Sequence, residues 1–355
     1  MITGIQVKNQ VENVLPAKVS LWQRELAGAV RDVGELVRLL GLEEFLPSPA
    51  LPPQGGKGVR GVSANPFKLL APHSYIARMK KGDWNDPLLR QVLPLDEELQ
   101  VVEGFNHDPV GDQHSVVADG VLHKYHGRVL LVTTGACAVH CRYCFRRHFP
   151  YSDSNPVRGE WEGALAYIRA NPDVREVILS GGDPLTLSDE RLAVLFRQLR
   201  EIPHVRRVRF HSRLPVVLPS RIDGGFLRLL EQIPQQKVMV IHANHARELA
   251  AGDVHGALAA LHEAGVTLLN QAVLLRGVND SVQAQVELSE SLFAQRVLPY
   301  YLHVLDRVAG AAHFEVPEAE AVQLMNEIRK QLPGFLVPKL VREVAGERAK
   351  TPVFG

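Results

Sequence analysis

From Arg128 onward, short apolar runs alternate with helical stretches, and this alternation restricts the fold more than any other feature of the chain. The runs are RVLLVTT (128–134), VREVILSGG (174–182), VRRVRFHS (205–212), KVMVIHAN (237–244), VTLLNQAVLL (266–275) and VLPYYLHVL (297–305). Between them the periodicity predicts helices over 158–170, 189–200, 225–232, 254–264 and 282–295. Strand–helix alternation implies a parallel sheet buried on both faces. Six such units predict an α/β fold, a partial parallel (β/α)6 barrel with reactive groups at the carboxyl ends of its strands.

Ahead of the barrel, apolar residues recur at helical spacing from Leu21 to Leu40 (Leu21, Trp22, Leu26, Val30, Val33, Leu36, Val37, Leu40), which predicts one amphipathic helix. The stretch LPSPALPPQGG (46–56) reads as a loop or linker, and 65–103 as a polar helical section. The expected organisation is a mostly helical N-terminal extension over 1–110, a barrel core over 111–330 and a C-terminal segment over 331–355.

Forty lysines and arginines stand against 39 acids, so no global charge recruits nucleic acid or an anionic membrane. No run approaches the roughly 18 apolar residues of a membrane helix. The start MITGIQVKNQ lacks the basic and apolar regions of a signal peptide. A cytoplasmic protein is expected.

All three cysteines lie within eight positions, Cys137-Ala-Val-His-Cys141-Arg-Tyr-Cys144, in the loop after the first barrel strand. The odd count argues against a disulfide framework. A three-cysteine zinc site completed by His140 or His148 stays open, although structural zinc usually uses paired knuckles further apart. A ferredoxin-type cluster would want a fourth cysteine. Three thiolates on a cubic [4Fe-4S] cluster would leave one iron without a protein ligand, where chemistry can occur.

Polar groups close the other strands. Ser180-Gly181-Gly182-Asp183-Pro184 follows the second, where consecutive glycines permit close approach of a ligand to the backbone; the same residues also make a good turn. His211-Ser212-Arg213 ends the third, His242-Ala243-Asn244-His245 the fourth, Gly277-Val278-Asn279-Asp280 follows the fifth, and Asp306-Arg307 the sixth. Polar clusters after every strand describe a site.

The cysteine spacing is the one that radical S-adenosylmethionine (SAM) enzymes use. Together, GACAVHCRYCFRRHFPY, LSGGDPL, HSRLPVVLPSRI, NQAVLLRGVND and LPYYLHVLD resemble the lysine 2,3-aminomutase family over roughly residues 125–353. The chain looks most like the shorter branch that acts for bacterial elongation factor P, and it ends five residues after Lys350. The resemblance implies an isomerase that converts L-lysine to (R)-β-lysine, which a lysyl ligase attaches to that factor. Production of free β-lysine, or less readily β-glutamate, is the alternative. It implies a cluster on Cys137, Cys141 and Cys144, SAM bound to its open iron, and an electron donor such as flavodoxin or ferredoxin.

The family also uses pyridoxal 5'-phosphate (PLP). Its lysine is implied to be Lys350, in a C-terminal PLP-lysine segment where a lone lysine would otherwise pass for a solvated charge. Arg128, and secondarily Lys124, are implied for the phosphate. Ser180, Gly181, Gly182, Asp183, Ser212, Arg213 and His242 are candidate cofactor contacts, with His303 where the free-lysine enzymes have tyrosine. Arg146 matches the residue that holds the substrate carboxylate, or else belongs to a basic surface with Arg142 and Arg147. Asp306 and Glu343 are implied to receive the substrate ε-ammonium, Glu343 standing where the family has aspartate.

Overall fold

The computed structural model describes residues 19–43, 67–151 and 161–354. Ten strands follow one another in chain order within one sheet. The first three, β1 (Val116–Ala118), β2 (Val121–Tyr125) and β3 (Arg128–Thr134), form an antiparallel meander. Its two-residue turns, Asp119-Gly120 and His126-Gly127, place glycine at φ of 69° and 72°, as tight hairpins demand. The sheet then turns parallel through β4 (Glu176–Gly181), β5 (Arg207–Ser212), β6 (Gln236–Ile241), β7 (Val266–Val273) and β8 (Leu298–His303). These are the six expected parallel strands; five lie within their expected runs, and β6 begins one residue ahead of its run, at Gln236.

A short parallel strand β9 (Lys339–Arg342) follows β8, and β10 (Thr351–Pro352) pairs back on β9 in antiparallel sense. Neither was readable as a strand, because four and two residues are too short to show a period. Their register sets Thr351 opposite Arg342. The next position out on each strand, Lys350 and Glu343, is therefore brought together at the barrel mouth.

Helices α5 (Glu162–Ala170), α6 (Asp189–Arg200), α8 (Gly224–Glu231), α9 (Gly252–Glu263), α10 (Val282–Ala294) and α11 (Glu318–Arg329) cross between parallel strands, with the single turn α7 (Leu214–Val217) after β5. Asp223 and Ser281 cap α8 and α10 with side-chain bonds to Phe226 and Ala284 nitrogens. Every residue of β4 is buried, as expected for a strand covered on both faces. One apolar core runs from the N-terminal helices through the barrel.

The N-terminal region departs from the expected single helix. It forms α1 (Leu21–Ala27) and α2 (Val33–Leu40), separated at Gly28. Between them Val30 exchanges both backbone bonds with Ala71, at 2.9 and 3.0 Å, while Asp32 caps α2 through the Glu35 nitrogen. Gly28 and Asp32 are stop and start signals that the continuous apolar spacing concealed. Trp22 of α1 lies under the Arg221 guanidinium, 4.7 Å from its ring centroid, which docks this pair onto the barrel.

The expected polar helical section after residue 65 is also different. From residue 67 it holds only the single turns α3 (His73–Ile76) and α4 (Pro87–Arg90), a 3-10 turn at Asp96–Leu99, and buried Leu69, Tyr75, Leu88, Leu89, Val92 and Leu93. Pro72, Gly82 and Pro87 interrupt any longer helix. The linker 46–56 and the start of the helix expected over 158–170 lie outside the described residues. Among the described residues, no helix is long and apolar enough to cross a membrane.

The loop after β3 is clamped to the end of β4. Gly182 N donates to Thr134 O and Asp183 N to Ala136 O, both at 2.7 Å. A β-carbon on Gly182 would lie 2.2 Å from the Ala136 oxygen. These glycines therefore admit the chain's own cysteine loop. Gly182→Ala is expected to destabilise the protein by about 1–3 kcal/mol, as overpacking does, and to displace that loop; denaturant unfolding and thiol accessibility measure both.

Candidate active site

The clamped loop carries Cys137, Cys141 and Cys144 onto the wall of a cavity of about 450 Å³ at the carboxyl ends of the strands. All three thiols are free. Burial first, and then the neighbouring Cys141, pushes the Cys144 thiol up to about 11; burial and the other two cysteines push Cys137 the same way. All three cysteines line this one cavity. Among the described residues no three His, Cys, Asp or Glu side chains are grouped to hold a single metal ion.

The loop is held from below. His140 N donates to Leu70 O and Arg142 N to Gln91 O, each at 2.9 Å. Arg142 and Arg147 both bond Glu98, at 2.5 and 2.6 Å, and stack their guanidiniums on Phe67. Both arginine side chains are covered, so they serve loop placement; the basic-surface alternative does not describe them.

Cys137, Cys141, Cys144, Arg128, Lys124, Arg146, Ser180, Gly181, Gly182, Asp183, Arg213, His242, His303, Asp306, Glu343 and Lys350 all line the cavity. Ser212 does not. Its hydroxyl donates to Asp183 Oδ2 and accepts from Leu214 N, 3.1 Å each, on the buried side of β5. The preceding residue, His211, faces the cavity instead. Side chains alternate along a strand, so the pattern around 211–212 held the information needed to choose between them.

Asp183 is a buried hub that also accepts from the Arg213 and Leu185 nitrogens at 2.7 and 3.0 Å. Burial outweighs those bonds and raises its carboxyl to about 6. His211 and His242, with ring centroids 5.4 Å apart, are pushed well below the usual imidazole range by burial, His242 to about 3. Both are neutral at physiological pH. His303 is 3% exposed, and its Nε2 has no hydrogen-bond partner.

A ladder of charges crosses the floor. Lys350 Nζ donates to Glu343 Oε2 at 2.8 Å, and Lys124 Nζ meets Glu343 Oε1 at 3.1 Å and Asp112 Oδ1 at 2.6 Å. Arg146 Nε donates to Asp112 Oδ2 at 2.6 Å and its Nη1 to the Ser180 hydroxyl at 3.2 Å. Burial would raise the Glu343 carboxyl, but Lys350 and Lys124 hold it down near 2. Lys350 remains only 19% exposed, its ammonium 5.9 Å from the Tyr301 ring centroid.

Two members of this floor depart from the simple expectation. Glu343 is already paired with two lysines, and Lys124 is spent on two carboxylates. Arg128, stacked 4.6 Å over Tyr125, has no ion-pair partner among the described residues. Asp306 likewise has no ion pair among them. Burial, and then the Glu343 charge, raises its carboxyl from 3.8 to about 7.

Sequence reasoning missed Asp112, which joins Lys124 to Arg146 while 2% exposed. It lies in a loop ahead of β1, where no spacing or strand end marked it. Tyr151, whose hydroxyl donates to Gly181 O at 2.6 Å, and Tyr301 were also unmarked wall residues.

Because Asp306 titrates higher folded than unfolded, its neutral form contributes stability at low pH, and this is lost as pH rises from about 4 through about 7. Asp306→Asn should therefore exceed the wild type in stability by clearly more at pH 8 than at pH 5, as chemical denaturation at the two pH values will show.

A profile of the radical SAM superfamily matches residues 131–285. The chain is 48% identical over 333 residues to L-lysine 2,3-aminomutase of Escherichia coli (strain K12), covering 94% of each. It is 47% identical over 285 residues to L-lysine 2,3-aminomutase of Haemophilus influenzae, covering 80% of this chain and 84% of the relative. The protein of that name from Clostridium subterminale is 39% identical over 280 residues, 79% of this chain and 67% of the relative.

Proposed function

The chain belongs to the radical SAM lysine 2,3-aminomutase family, and from that premise we propose that it converts L-lysine to (R)-β-lysine, feeding modification of elongation factor P by a lysyl ligase. The observation that carries this reading is the meeting of two reactive sets in one cavity: three free thiols at one wall and Lys350 at the floor. Three free thiols from one loop on one cavity wall fit a [4Fe-4S] cluster, which three cysteines would leave with one open iron. Lys350 in the same cavity as Arg128, which has no ion pair among the described residues, fits PLP, one as an imine-forming amine and the other as a phosphate-binding cation.

When bound, the cluster with SAM supplies hydrogen abstraction, and PLP supplies stabilisation of the migrating nitrogen. The chain's own residues do the positioning. Arg146, steadied by Asp112, offers its remaining N–H groups to the substrate carboxylate. Asp306 receives the ε-ammonium, which selects lysine over an acidic side chain that it would repel. Glu343 is a second carboxylate at that end, and it becomes available once the Lys350 amine is engaged elsewhere. Neutral His211 and His242 make a wall that adds no charge beside the reacting carbons. Such a wall, with Tyr301 and Tyr151, keeps water from a radical that would attack it.

The proposed setting is cytoplasmic, with flavodoxin or ferredoxin as electron donor. Anaerobic protein reconstituted with iron and sulfide should convert isotope-labelled L-lysine to β-lysine in the presence of dithionite, SAM and PLP. Lys350→Ala should abolish this, and chiral mass spectrometry reads both. SAM cleavage with lysine untouched would overturn the substrate assignment.

The raised Asp306 carboxyl adds a pH signature. Ammonium binding needs it ionised, so KM for lysine should fall as pH rises from 6 to 8. Asp306→Asn should raise KM and remove that trend, which steady-state assays across the range will check.

A further inference from the structure

Arg213 leaves the end of β5 and points its side chain beneath the cysteine loop. It is 5% exposed, and its Nη1 lies 2.7 Å from the Cys141 sulfur. Its Nη2 is held at 2.8 Å by Glu248 Oε2, at 2.7 Å by Gln91 Oε1 and at 3.2 Å by the Tyr75 hydroxyl. Its backbone nitrogen is fixed by Asp183. Every anchor is buried, so the guanidinium cannot swing away. The contact is asymmetric: among the described residues, Cys141 is the cysteine that accepts a hydrogen bond from a charged side chain.

Glu248 is itself fully committed. It accepts from Gln91 Nε2 at 3.1 Å and from the Asn244 and His245 nitrogens at 2.9 and 3.1 Å. A simple structural brick would need only the Arg213–Glu248 pair. Here one end of the guanidinium is anchored by Glu248, and the other is presented to a sulfur. The fork geometry of arginine allows both at once.

We propose that Arg213 tunes the cluster through Cys141, and that Glu248 sets how much of its positive charge reaches the sulfur. The inference rests on the reading that the three cysteines hold a [4Fe-4S] cluster. On reduction the cluster accepts one electron from a low-potential donor, and its net charge becomes more negative by one, with no bond made or broken. A fixed N–H donor and a nearby positive charge at a ligand sulfur favour that more negative form. Hydrogen bonds to sulfur and local charge are general determinants of cluster potential. Arg213 is thus a positioning and tuning residue, outside the set that touches lysine.

The test is an EPR-monitored redox titration of reconstituted protein without SAM or lysine, with iron counted in every sample. Arg213→Gln should make the cluster about tenfold harder to reduce, a potential lower by about 59 mV for one electron. Arg213→Lys should recover most of that change, because it restores charge and donor. Glu248→Gln should shift the potential in the opposite direction, which general loosening of the site would not do. An Arg213→Gln potential within threefold of the wild type, with about four irons per chain, overturns the proposal. Should Arg213→Gln fail to hold iron, Glu248→Gln decides, and no upward shift there overturns it. A wild type that takes up no four-iron cluster removes the cluster reading first, and the proposal with it.

Discussion

The site depends on two backbone hydrogen bonds between the cysteine loop and the end of β4. Gly182 and Asp183 donate to Thr134 and Ala136, so the loop leaves β3 and is caught by its parallel neighbour within two residues. That catch requires glycine, because the Ala136 oxygen occupies the place of a side chain. Once caught, the loop is finished by Glu98 beneath Arg142 and Arg147 and by Arg213 against Cys141. Two buried arginines sharing one carboxylate would be costly without such complete pairing. With it, they lock a segment that has no regular secondary structure. A loop whose sulfurs must frame one object needs that rigidity more than a strand or helix would.

The opposite wall is built differently. The β9–β10 hairpin sets Glu343 against Lys350 by register alone. The charges then continue through Lys124 and Asp112 to Arg146, so the floor alternates in sign from the C-terminal segment to the cysteine loop. Alternation lets five ionised groups share a mostly apolar cavity while each faces an opposite charge. Asp306 stands outside the ladder, and its carboxyl rises to about 7 in consequence. A half-buried carboxylate with no ion pair among the described residues at one end, and an arginine at the other, suit the amino acid with a cationic tail proposed as substrate. His303 lines the same cavity with its buried Nε2 unpartnered.

Much of this was legible because its signals are periodic or clustered. Six buried strands alternating with helices announce a parallel barrel, and three cysteines in eight positions mark the loop that bears chemistry. What escaped was too short, too local or dependent on tertiary partners. The strands β9 and β10 show no period, and the one-turn helices around Pro72 and Pro87 gave no amphipathic stripe. Gly28 and Asp32 divided a helix whose apolar spacing ran on unbroken. Asp112 carries no motif, since its role arises when the loop ahead of β1 folds over Lys124 and Arg146. Ser212 was chosen over His211, although strand alternation separates the faces of those two neighbours. The glycines after β4 were read for a ligand, and they also admit the chain itself.

The central claim is that the thiol wall and the Lys350 floor act on one substrate molecule in one cavity. Deuterium tracing tests it most directly: L-lysine deuterated at its β-carbon is turned over with SAM and PLP, and SAM and product are recovered for mass spectrometry. The account predicts deuterium in the recovered SAM, and in β-lysine at the carbon vacated by nitrogen. Conversion of lysine with SAM remaining free of deuterium would contradict it, because the two walls would then not share the hydrogen.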